Sequence, residues 1–176
     1  MKAHDDEWRL VEGFSSCLFL VSTWWACAYS ESFAWKMTNA ALVVASFLCN
    51  ASAYRKCFLI ADYAAISAVA LSYLQSPAAS VVYSFVCLHD LRRGGVGEHA
   101  KNAVFLIAIS KSCWRTYWLI DRRVFAWLLL STSTGALAYR WRYWLLSQGV
   151  DQYRRLLTWY FHGCITVILS ISSLTC

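Results

Sequence analysis

Residues 57–75 read CFLIADYAAISAVALSYLQ, nineteen residues that carry a single charge, Asp62. At 1.5 Å per residue, a helix of this length spans about 28 Å, close to the roughly 30 Å of a bilayer's hydrocarbon slab. The stretch is rich in small residues, Ala61, Ala64, Ala65, Ser67, Ala68 and Ala70. Small side chains let helix backbones approach closely in lipid, which predicts a central place in a bundle.

The same reading extends to both sides. Apolar spans are predicted at 13–30, 37–54, 57–75, 77–89, 102–120, 124–139 and 156–175, and together they hold three charged residues, Asp62, Lys111 and Arg115. The fourth span is short for a crossing. The sixth extends naturally through Trp144. Of the 176 residues, 59% are apolar and 15% charged, against about 45–50% and 25% in soluble domains. A chain this short cannot hide that much apolar surface in one water-facing core. The expectation is an all-α, multi-pass transmembrane bundle of about seven helices. The connectors are short and no internal repeat divides them, so residues 1–176 form a single integral membrane domain in this reading.

The connectors hold the basic residues. With seven crossings, Lys2, Arg9, Arg55, Lys56, Arg92, Arg93, Lys101, Arg140, Arg142, Arg154 and Arg155 fall on one side, and Lys36, Arg122 and Arg123 on the other. The positive-inside rule then places the N-terminus inside and the C-terminus outside. Trp24, Trp25, Tyr29, Trp35, Tyr117 and Trp118 belong to the outer edge, and Tyr54, Tyr139, Trp141, Tyr143, Trp144, Tyr153, Trp159 and Tyr160 to the inner one. The N-terminal segment contains Asp5, Asp6, Glu7 and Glu12, contrary to a transit peptide, and the first span reads as a retained signal anchor. The net charge of +6 comes from scattered connector pairs, which exclude a nucleic-acid face. The eight cysteines form no CxxC pair, contrary to a zinc ribbon or a disulfide scaffold.

An ionisable side chain in hydrocarbon costs about 2.5–3.5 kcal/mol on insertion scales, so each needs a reason. Asp62, one turn into its span from the inner side, is a candidate site carboxylate or a partner for a buried cation or hydroxyl. Lys111 and Arg115 share a helix face at i, i+4. Arg115 can snorkel to the outer edge, and Lys111 can reach Asp62 or a lipid phosphate. His162, His89, Asp90, Asn50 and Cys49 lie at the inner depth with Asp62, on several helices.

The second span ends SFLCN, Ser46 to Asn50, followed by the basic turn Arg55–Lys56 and then ADYAAISAVALSY from Ala61 to Tyr73. This pattern resembles the seven-helix hemolysin III and progestin/adiponectin-receptor family, within the membrane hydrolase superfamily that includes alkaline ceramidases. That family has a serine four residues before a histidine at the inner end of helix two. An aspartate opens helix three, and HxxxH lies near the inner end of helix seven. The three histidines bind zinc and the aspartate holds the zinc-bound water. The resemblance assigns Ser46, Asp62 and His162 to the serine, the aspartate and the first histidine of helix seven. Asn50 and Thr166 stand where the other two histidines would be. Cys49, Cys164 and His89 are weak substitute ligands, because catalytic zinc takes three good protein donors plus water.

The resemblance therefore implies a non-catalytic sensor, scaffold or complex subunit that binds membrane lipids or other membrane protein subunits. Asp62 and His162, with Lys111 as counter-ion, are its expected cluster. A zinc-dependent lipid amide or ester hydrolase using Asp62, His162 and Ser46 is the enzymatic alternative. A small transporter or channel relaying a proton or anion through Asp62, Lys111 and His162 is the third.

Overall fold

The computed structural model describes residues 10–52, 55–148 and 153–176. Seven helices follow one another: α1 (Leu10–Tyr29, with a 3-10 turn at Ser16–Leu18), α2 (Phe33–Ala51), α3 (Lys56–Leu74), α4 (Pro77–Arg92), α5 (Glu98–Leu119), α6 (Arg122–Ser147) and α7 (Arg154–Ser173). No strand occurs among the described residues. Three of the helices are long and apolar enough to cross a membrane: α1, α3 and, over Arg155–Ser173, α7.

Tight connectors turn the chain. Gln75 closes α3 in the left-handed region at φ 51°, and its amide donates to Leu71. Ser76 then accepts from the Ala79 amide at 3.3 Å, and Pro77 opens α4 where its missing amide hydrogen costs nothing. Between α4 and α5, the Asp90 carboxylate accepts from the Gly97 amide at 2.7 Å. Any Cβ at Gly95 would press on that carboxylate, and Gly97, at φ 82°, starts α5 in a conformation suited to glycine. Ser32 caps α2 by accepting from the Trp35 amide at 3.2 Å.

Six helices close into a ring in the order α1, α2, α3, α5, α6, α7 and back to α1, with α5 also touching α7 across it. The fourth lies outside, against α5 and more lightly α3, and buries none of its residues. Its sixteen residues span about 24 Å. Ala65, Ser67 and Ala70 of α3 are buried in the bundle as small-residue packing requires, whereas Ala61 and Ala64 face outward.

Large apolar side chains cover the exterior as well as the core, and small polar ones are enclosed between helices. Phe33 is 75% exposed, Phe85 72% and Trp114 68%, while Ser15, Ser22, Asn39 and Thr116 are fully enclosed. Polar groups, most of them enclosed, link the elements: Ser22 to Asn39 at 3.4 Å, half-buried Thr38 to Ser72 at 2.9 Å, Trp35 Nε1 to Ser173 at 2.9 Å, Tyr73 to Thr175 just past α7 at 2.7 Å and Ser112 to Ser172 at 2.8 Å. Such bonds average about 0.6 kcal/mol each in a membrane bundle.

The helices outrun the predicted spans, and at two places this moves a charge into the bundle. The sixth continues to Ser147, and the fifth begins at Glu98. Lys101 and Arg142, expected in connectors, therefore lie on helices and are buried, at 7% and 9% exposure. Removing those two from the connector charges leaves the bias toward the same side. Lys2, Arg9 and Tyr54 lie outside the described residues.

Candidate functional site

A cavity of about 390 Å³ occupies the ring, within the range typical of small-molecule sites. Its long wall is apolar, built from residues such as Val69, Phe105, Ile109, Ile165 and Ile168. Its polar end is assembled from the start of α3, the end of α2, the start of α5, the end of α6 and the start of α7: Asp62, Ser46, Asn50, Lys101, Arg142 and His162. The up-and-down order of short-looped helices brings these distant sequence positions to one depth.

His162 is held through Nδ1, 2.7 Å from the Ser15 hydroxyl, and its ring lies 5.0 Å from that of Phe19. The Ser15 hydroxyl also donates to the Glu12 carbonyl, so the pair ties the start of α7 to α1. Ser46 accepts from Ser16 at 3.0 Å and also interacts with the Asp62 carboxyl. Asn50 donates its amide to the Ser46 carbonyl at 2.8 Å and to Ser16 at 3.3 Å. Asp62 Oδ1 is enclosed yet has no hydrogen-bond partner.

Lys101 and Arg142 supply positive potential at Asp62. The Lys101 ammonium sits 4.0 Å above the Tyr63 ring and 5.8 Å from that of Tyr139, which eases its burial. Both cations were read from the sequence as connector charges. Their signal was helical spacing: Lys101, Phe105 and Ile109 repeat at i, i+4, i+8, and Gly135, Tyr139 and Arg142 follow the same face of α6.

The expected counter-ion, Lys111, is elsewhere. Its ammonium donates to the carbonyls of Tyr73 and Leu74, at 3.1 and 2.9 Å, at the far end of α3 from Asp62. Two orphan carbonyls at a helix C-terminus are a better partner for a cation than a carboxylate several turns away. Arg115 is half-buried one turn further along α5. His89 is exposed on α4, outside the ring, and Asp90 is bound to the turn at Gly97. Cys49 is buried without lining the cavity. Cys164 turns toward α6, with its sulfur 3.7 Å from the Thr134 hydroxyl.

The donor set does not fit the zinc that the family resemblance implies. Asn50 spends its amide on Ser16 and Ser46, and the Thr166 hydroxyl donates to the His162 carbonyl at 2.9 Å. Among the described residues, no group of three or more His, Cys, Asp or Glu side chains is placed to hold a metal ion. Two cations sharing the cavity end with Asp62 also oppose a dication there. No protein-family model, curated protein or solved structure matches the chain.

Proposed function

We propose that the chain is a multi-pass integral membrane protein, crossing seven times with its N-terminus inside, that binds a membrane lipid within its helical ring. In this reading it serves as a non-catalytic sensor, scaffold or complex subunit. The observation that carries the reading is the amphipathic cavity: an apolar shaft capped by a hydrogen-bonded polar end matches the two halves of a lipid. The outward apolar surface supports the membrane setting, since patches of this extent are covered in solution by lipid or partner.

The convergence of Ser46, Asp62 and His162 supports the resemblance to the hemolysin III and progestin/adiponectin-receptor family, without its zinc chemistry. Conduction is less well supported than binding. Val69, Phe105, Ile109, Ile168 and Leu169 form an apolar stretch between the Asp62 end and the Tyr73–Ser112–Ser172 end, a poor path for protons or ions.

The test is the lipid content of protein purified in mild detergent. About one tightly held lipid per chain is expected, with loss in an Ile165→Trp variant that fills the shaft and still runs as a folded species. An unchanged lipid content in that variant would contradict the reading.

A further inference from the structure

The cavity has a side opening. Its most solvent-accessible lining residues, Asn102 and Leu106 on α5 and Ala136 and Tyr143 on α6, are all on two facing helices, whereas α1, α2 and α7 contribute no exposed residue to it. The seam faces the apolar outer surface, where Ile107 and Leu137 are exposed beside it. A molecule entering there comes from the plane of the bilayer, and the cavity's volume suits one chain.

The polar end specifies the head. Both signs are present at this end and offset each other, Asp62 lying in the field of Lys101 and Arg142, and Lys101 in that of Glu98 and Asp62, so a net charge on the ligand would be left without compensation in a low dielectric. Asp62 lines the cavity beside Ser46 and its Oδ1 has no hydrogen-bond partner, so the carboxylate has acceptor capacity to spare. Of the neighbouring donors, Asn50 is engaged with Ser16 and Ser46, and the Lys101 ammonium lies over the Tyr63 ring.

We infer that the cavity takes a neutral single-chain amphiphile, entering between α5 and α6, whose head donates a hydroxyl or amide hydrogen to Asp62. This rests on the lipid-binding reading and adds the head-group chemistry and the route. It is a binding step, with no covalent change.

Native mass spectrometry of the whole chain released from mild detergent tests it with three probes of equal chain length: 1-monooleoylglycerol, methyl oleate and oleate. The expected result is a one-to-one adduct with monooleoylglycerol, held about tenfold or more tightly than the other two, the worth of a hydrogen bond to a charged group. Asp62→Leu should erase the preference over methyl oleate, and Asp62→Asn, which keeps a neutral acceptor oxygen and the shape, should retain part of it. Leu106→Trp should slow loading of every probe. Methyl oleate binding as well as monooleoylglycerol, or oleate binding best, would overturn the inference while leaving lipid binding in place. No adduct with any probe would overturn both.

Discussion

Lys111 fastens one helix to the end of another. Its ammonium satisfies two C-terminal carbonyls of α3 and lies 5.3 Å from the Tyr73 ring centroid. Lys111→Met should lower stability by about 1–3 kcal/mol, read as a fall in the melting temperature in detergent. Lys111→Arg should recover part of it, and lipid content should stay unchanged because the site is at the other end of α3. An unaltered melting temperature would show that the bonds carry no net stability. At this scale the sequence was legible for Asp62 and His162, each an isolated polar group in an apolar stretch. Lys101 and Arg142 were not, because a basic residue beside an apolar span has the same composition whether it meets water or turns into the bundle. Only the extension of α5 and α6 past the apolar residues distinguishes the two.

The elements themselves were more legible than their ends. Each predicted span coincides with a helix, as apolar runs of this length would in lipid, where backbone groups have no partner but one another. The bounds differ where polar residues continue the helix: backbone hydrogen bonds carry α6 to Ser147, beyond the predicted end at Tyr139. Packing between elements depends on single small residues that composition cannot rank. Gly135 of α6 faces α7 so closely that a Cβ there would lie 2.9 Å from Cys164 Cβ. Gly135→Ala should destabilise the bundle by about 1–3 kcal/mol. Combining it with Cys164→Gly should return part of that loss, a coupling of about 0.5–3 kcal/mol in a double-mutant cycle. Simple additivity of the two changes would mean that α6 and α7 separate freely at this crossing.

For the whole molecule, polarity is arranged from the inside outward. Serines, asparagines and threonines fill interhelical contacts, and aromatic and aliphatic side chains clothe the exterior. The fourth helix, with no buried residue, makes the point most clearly: Val82, Phe85 and Leu88 are exposed at 62%, 72% and 53%. At about 25 cal/mol per Å² of apolar surface, such a face is costly in water, and the proposed membrane setting would supply the missing cover. The most direct test is maleimide labelling from one side, in cells, on a cysteine-free background. Single cysteines at Glu31 and Arg122 report one end of the bundle, and at Arg55 and Arg93 the other. The account predicts that an impermeant reagent labels Glu31→Cys and Arg122→Cys on intact cells, and Arg55→Cys and Arg93→Cys only after permeabilisation. Equal labelling of all four positions on intact cells would contradict it.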